Sequence, residues 1–311
     1  MLKFNNNYYY YKKSIIGGNT IRKLVSLIEK HHEFLSLVKN HGEGIIEYKD
    51  LTFKKVINSK SKSKLGEIII NNPTRKNAIS GKMMFNLANI IDHLLIKNNN
   101  DNKPLAIIIR NEGNDVFCSG ADLNLVKDII NTPERGYLMS LYMTDALNRL
   151  RQSDIITLSA INGKAIGGGA ELTTVTDFRL MSENQDNYIQ FIHVQIGAAL
   201  GWGGCNRLYS MLGRRNSLKL LGTSLKINAN DALKLNYIDG ILTKDATYDI
   251  IISESLKILQ PFLNEEYIES VRAIKRTIAK VDNIEQENIN FEQEIFKSRW
   301  QNRDNKEALK R

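Results

Sequence analysis

Two rhythms of apolar residues alternate along the chain. The first is the short unbroken run. Residues 66–71, 105–110 and 155–161 read as buried strands, because a strand covered on both faces shows no polar alternation. The second is the helical stripe. Behind Ser80, a good N-cap, the residues Met83, Met84, Leu87, Ile90, Ile91 and Leu94 recur at i, i+3/i+4 and i+7. Residues 123–150 predict a helix with a break at Thr132-Pro133. Helices over 214–221 and 227–235 precede a short strand at 237–242, and three more helices fill 248–260, 265–279 and 284–299. Residues 44–71 predict two strands joined by a Lys/Ser-rich turn at 58–64, and Pro73 then stops the second because it has no ladder donor. The polar runs 97–103 and 111–115 predict loops. Strand and helix thus alternate, which implies an α/β chain with parallel pairing.

The N-terminus does not follow these rhythms. Residues 5–11 are the low-complexity string NNNYYYY, and the first acidic residue is Glu29. Basic, acid-free starts can be mitochondrial presequences, but this one is poor in Ser and broken by Asn and Tyr. Leu24, Leu27, Ile28, Leu35 and Val38 recur near helical spacing, so residues 1–42 are read as a surface helix behind a disordered leader. A core over 43–245 and a C-terminal helical region over 246–311 complete the expected organisation.

Composition adds bounds. At 311 residues, with 42% hydrophobic and 25% charged content, the chain can bury a large core. No apolar run approaches the roughly 20 residues that span a bilayer. The formal net charge of +9 permits an acidic partner, whether nucleic acid, membrane or a polyphosphate ligand, and selects none of them. Cys118 and Cys205 give no disulfide framework and fit a reducing compartment, so a cytosolic location is expected, with a mitochondrial one as the alternative. No Cys/His cluster has zinc spacing; His31 and His32 are adjacent and do not share a helix face.

Chemistry enters at INGKAIGGGAEL, residues 161–172. A strand, an Asn162-Gly163 turn and three successive glycines lead into a helix from Ala170. Glycines there cost backbone entropy, a cost accepted where the chain turns sharply or approaches something closely. Free amides at a helix start suit an oxygen that gains negative charge, and Glu171 puts a carboxylate beside them.

Three ordered segments carry a resemblance: NNPTRKNAIS (71–80), FCSGADL (117–123) and INGKAIGGGAEL (161–172). Together they are similar to the signature segments of the crotonase superfamily, from about Gly44 to the C-terminus. The runs NNPTRKNAISGKMM (71–84), GGGAELTTVTDFRLM (167–181) and FIHVQIGAALGWGG (191–204), with residues 218–232, resemble the branch that decarboxylates ethylmalonyl-CoA. The resemblance implies a spiral of ββα units with a C-terminal helical region. It implies an oxyanion hole from the amides of Ala78 and Gly168, and coenzyme A contacts around Gly120, Ala121 and Asp122, with Asp122 also a plain helix cap. Arg75, Lys76 and Lys275 would face coenzyme A, and Trp202 would wall the acyl pocket. The family's hydratases use two glutamates about the double bond. The first matches Glu171; the second position holds His193. That departure disfavours water addition and leaves a reaction that needs an oxyanion hole without a glutamate pair. Decarboxylation of ethylmalonyl-CoA, and of methylmalonyl-CoA, is such a reaction. No cofactor is implied, since coenzyme A belongs to the substrate. The resemblance also implies a homo-oligomer, a trimer or hexamer. The alternatives are a short-chain enoyl-CoA hydratase or isomerase, and an RNA-binding relative, for which no aromatic-interleaved basic motif is present.

Overall fold

In the computed structural model β2 (Leu65–Asn71) is buried almost from end to end and lies inside a six-stranded sheet. The structure describes residues 29–51, 65–96, 103–244, 246–282 and 286–310. The predicted turn at 58–64, the NNNYYYY string, most of the N-terminal stripe and nearly all of the 97–103 loop lie outside these residues. The chain divides at Leu37/Val38; of the smaller unit, residues 29–37 are described and belong to a helix, α1 (residues 29–38).

The larger unit is a spiral. Its main sheet has the order β1 (Ile45–Leu51), β2, β3 (Ala106–Asn111), β5 (Ile156–Ile161), β7 (Phe178–Ser182), β9 (Gly240–Leu242); β1 runs antiparallel to β2 and every later pair is parallel. After β3, β5 and β7 the chain crosses into a second sheet, adding β4 (Val116–Cys118), β6 (Lys164–Ile166) and β8 (Ile189–Gln190), all parallel. Each turn therefore lays one strand on each sheet, the repeat the crotonase resemblance implies. The predicted strands at 66–71, 105–110 and 155–161 are β2, β3 and β5. The small sheet leaves no trace in the apolar pattern, because two- and three-residue strands carry no readable alternation.

Helices close the layers. In α2 (Gly81–Ile96) Met83, Met84, Leu87, Ile91 and Leu94 are all buried, and Ser80 caps the helix as expected, its Oγ accepting the Met83 amide at 3.2 Å. The break at Thr132-Pro133 separates α3 (Leu123–Asp128) from α4 (Pro133–Arg151), with Thr132 capping the second. A core of Ile108, Leu158, Ala160 and Leu180 packs on α8 (Tyr248–Leu259). Glu67 is the exception within apolar β2. It is buried, and its charge is met by Arg110 at 3.2 Å and the Tyr248 hydroxyl at 2.6 Å, the pairing a buried carboxylate requires. The remaining helices are α5 (Gly168–Thr173), α6 (Gly204–Thr223), α7 (Ala229–Lys234), α9 (Ile268–Val281), α10 (Gln286–Arg299) and α11 (Arg303–Ala308). Among the described residues no helix is long and apolar enough to cross a membrane.

Candidate active site

The small sheet builds the site. Because β4 and β6 are parallel neighbours, the segments that follow them leave at the same end. Residues 119–121 and Gly167-Gly168 thereby run side by side. A Cβ on Gly120 would lie 3.1 Å from the Gly168 nitrogen, and one on Gly169 would overlap the Cys118 carbonyl. Gly167, at φ 56° and ψ −123°, turns the chain from β6 into α5 in a conformation only glycine adopts readily.

The first signature segment locks onto this pair. Pro73–Arg75 forms one 3₁₀ turn, after which Lys76 and Asn77 both take left-handed conformations. Asn77 holds that strained corner: its Oδ1 accepts the Asn72 amide at 2.8 Å, and its Nδ2 donates to the carbonyls of Val116 at 2.7 Å and Glu112 at 2.9 Å. Ile79 then bridges Ala121 in parallel, its amide donating to the Gly120 carbonyl at 2.8 Å and its carbonyl accepting from Asp122 at 3.0 Å. In such a bridge the Ala121 amide points away from Ile79. Among the described residues neither the Ala121 amide nor the Gly168 amide has an acceptor.

This corrects one expected role. The Ala78 amide donates to the Arg75 carbonyl at 3.0 Å, closing the turn. It is spent on local structure, and Ala121 supplies the unpaired amide instead. Asp122 caps α3 through the Asn124 amide at 2.7 Å and pairs with half-exposed Arg75 at 3.2 Å; Lys76 is exposed beside them. Lys275 needs a second correction. It is buried, donates to the Ile155 carbonyl at 3.1 Å and pairs with Asp177, so it ties α9 to the main sheet and offers nothing to a phosphate.

The opposite wall is held by charge. Trp202 is buried with its indole against Gly168, where a Cβ would come 2.7 Å from the ring. Glu171, 1% exposed, takes the amides of Gly201 at 3.2 Å, Trp202 at 2.8 Å and Gly204 at 2.9 Å, and His193 Nε2 lies 3.0 Å from its Oε1. The Gly204 amide opens α6, which kinks at Gly213, and those of Gly201 and Trp202 lie in the turn just before it; the positive end of the helix favours a carboxylate. Burial alone would push the Glu171 carboxyl up. The His193 ring, the Gly204 amide and the Arg207 guanidinium outweigh it and hold the group below the usual carboxylate range. Arg207, fully buried, binds the Trp202 carbonyl at 2.6 Å and Thr174 Oγ1 at 2.8 Å; burial pushes its guanidinium down to about 10. The His193 Nδ1 atom is buried and has no partner among the described residues.

Two side chains from the C-terminal helices complete the frame, and the sequence had singled out neither. Asn305 of α11 donates to the Ile196 carbonyl at 2.7 Å and pins the short helix Ile192–Ile196 that carries His193. Glu292 of α10 accepts the amides of Cys205 and Asn206, each at 3.1 Å. Their partners lie 109 and 87 residues away, beyond any local pattern. Among the described residues no cluster of three or more His, Cys, Asp or Glu side chains could hold a metal ion.

The sequence that folds into this spiral matches a family model. The one described as Enoyl-CoA hydratase/isomerase covers residues 60–311, and the chain belongs to that family. It is 39% identical over 286 residues to a *Xenopus laevis* protein named ethylmalonyl-CoA decarboxylase, covering 90% of this chain and 92% of that one. A human protein of the same name is 33% identical over 247 residues, covering 79% and 77%. Among solved structures, an enoyl-CoA hydratase/isomerase from *Mycobacterium paratuberculosis* superposes with a TM-score of 0.68 at 18% identity, over 85% of this chain and 97% of that one. An enoyl-CoA hydratase from *Bacillus anthracis* gives 0.62 at 21% identity, over 74% and 84%. These two speak for the fold alone.

Proposed function

We propose that the protein is a carboxy-lyase that decarboxylates ethylmalonyl-CoA, and methylmalonyl-CoA second, at the amides of Ala121 and Gly168. The observation that carries this reading is the pair of unpaired amides on touching segments, set beside a glutamate with no capacity left for acid–base work. The relatives named ethylmalonyl-CoA decarboxylase support it.

The thioester carbonyl oxygen sits between the two amides. The bond from the α-carbon to the carboxylate breaks, carbon dioxide leaves, and the electron pair moves into the thioester as an enolate whose oxygen the amides stabilise. One such donor is worth on the order of 100-fold in rate. A proton then returns to the α-carbon. Glu171 does not supply it: its carboxyl is held ionised, and its oxygens already take three amides and the His193 ring. With Nε2 turned to Glu171, Nδ1 is the His193 atom left to relay a proton taken from solvent to the α-carbon. Water addition in the two-glutamate manner is disfavoured for the same reason, since one carboxylate is engaged and the other position is a histidine.

Trp202 offers an apolar face for the alkyl branch. Arg75, with Lys76 beside it, is the basic group on the coenzyme A side, next to Gly120 and Asp122. The protein assembles with copies of itself; exposed Ile274, Ile278 and Val281 on α9 and Phe291 on α10 give such contacts an apolar surface. The reading includes a metabolite-repair role in the cytosol, removing a malonyl analogue made by a carboxylase side reaction.

The test is to incubate the purified protein with malonyl-, methylmalonyl-, ethylmalonyl- and crotonyl-CoA and to weigh the products by mass spectrometry. Loss of carbon dioxide from the branched malonyl thioesters, with crotonyl-CoA unchanged, is expected. Rapid hydration of crotonyl-CoA would overturn the reading.

A further inference from the structure

Two buried carboxylates share one helix end. Glu171 takes the amides of residues 201, 202 and 204, and Glu292 takes those of 205 and 206, with the Asn206 side-chain amide also on Glu292. Only Glu171 belongs to the site. Glu292 comes from α10, which also lays Phe296 over Gly201 and leads into Trp300, whose indole donates to the Ile130 carbonyl at 2.7 Å. Phe296 and Trp300 stack with centroids 5.0 Å apart, and a Cβ on Gly136 of α4 would overlap the Trp300 ring. The α10 segment therefore grips the back of the loop whose front is Trp202.

We propose that Glu292 is a positioning residue: from outside the pocket, it holds the start of α6 and with it the loop that seats Trp202 against Gly168. The proposal rests on the reading of that pocket as the reaction site.

The charges around Glu292 give the grip a pH dependence. Glu171 faces it from α5, and Arg207 and the Cys205 thiol face it from α6. On the other side α4 meets α10 through Gly136 and through Tyr137, whose ring lies under Lys297 of α10 itself. Arg207 spends its guanidinium on Trp202, Thr174 and Asn148, so one shared cation and one helix end stand against two carboxylates. Glu171 keeps its charge. Glu292 is the member that takes up a proton: burial, and then the charge of Glu171, push its carboxyl up to about 7. In its neutral form the two side chains do not repel and α10 sits close. In its ionised form repulsion from Glu171 loosens α10 and the Trp202 loop.

The two tryptophans of the chain, Trp202 and Trp300, both lie at this junction, so intrinsic emission reports on it directly. The test records tryptophan emission and KM for ethylmalonyl-CoA from pH 5.5 to 8.5 in the wild type, Glu292→Gln and His193→Gln, with circular dichroism to verify folding. The wild type and His193→Gln should show an emission transition with a midpoint near 7, absent from Glu292→Gln. Wild-type KM should rise about threefold or more across the same range, while Glu292→Gln holds one value. A folded Glu292→Gln that keeps the emission transition would overturn the proposal, as would a wild type with none. Should Glu292→Gln fail to fold, Glu171→Gln serves instead: it removes the repelling charge and should move the midpoint down, and an unmoved midpoint would count against the coupling. The emission readout stands even if the thioester is not the substrate, which separates failure of this inference from failure of the reading it rests on.

Discussion

The two walls of the site are built from different physics. The wall that offers amides, residues 72–79 with 118–122 and 167–168, is fixed mainly by backbone bonds, glycine contacts and neutral side-chain amides, the Arg75–Asp122 pair being the exception; the Asn77 side chain alone makes three hydrogen bonds there. The wall that carries Trp202 and His193 is fixed by buried charge, with Glu171, Arg207 and Glu292 converging on the start of α6. The first wall owes its shape mainly to groups that do not titrate, with the Arg75–Asp122 pair at its margin. The second can be tuned, because its geometry follows the ionisation of groups that are costly to bury. An enolate needs the first kind of wall, since preorganised donors lose their advantage once they must move. Substrate entry and proton return can use the second.

The largest break falls where the walls touch. Gly168→Ala drives a methyl group into the Trp202 ring and displaces the amide, and is expected to lower kcat on the order of 100-fold or more, read in a steady-state decarboxylation assay. On the first wall, Asn77→Ala leaves the Asn72 amide without its acceptor and strips the shorter of two side-chain donors from each of the carbonyls of Val116 and Glu112, which keep Asn111 Nδ2 at 3.3 and 3.5 Å. A stability loss of about 2 kcal/mol or more by urea unfolding is expected, the same at pH 6 and pH 8. An effect that changes with pH would blur the distinction between the walls. On the second wall, Glu171→Ala should lower turnover more than tenfold (about 1.4 kcal/mol) by freeing the loop; undiminished activity would make that carboxylate dispensable. The smallest effect is the pH dependence of folding itself. Glu292 ionises in the unfolded chain near its ordinary 4.5 and in the folded protein near about 7. The folded state thus holds a proton that the unfolded state has lost. That stabilisation is complete below the unfolded value and disappears as the pH rises through about 7. The unfolding free energy of the wild type should fall by about 1 kcal/mol from pH 6 to pH 8 relative to Glu292→Gln.

The first wall was largely legible in the sequence and the second was not. Pro73, the glycine run at 167–169 and the cap at Asp122 leave local signatures, and the alternation of apolar runs with helical stripes gave β2, β3, β5 and α2. The choice between Ala78 and Ala121 was not legible. Both are small residues in signature segments, and which amide remains free depends on a turn that consumes one and a bridge that turns the other outward. Lys275 misled because a basic residue on an amphipathic helix reads the same whether it faces a phosphate or, as here, the carboxylate of Asp177 inside the fold. Glu171 and His193 were found as candidates, but their pairing needs the fold. Glu292 and Asn305 lie in helices whose pattern marks only which face is apolar.

The most direct test exchanges single backbone amides for esters, which deletes an N–H and leaves the side chain intact. Installed at residue 121 with the α-hydroxy analogue of alanine, the ester should lower kcat for ethylmalonyl-CoA on the order of 100-fold, whereas the same exchange at residue 78 removes a turn bond and should cost little turnover. Full activity with the ester at 121, or a collapse confined to the ester at 78, would contradict the account.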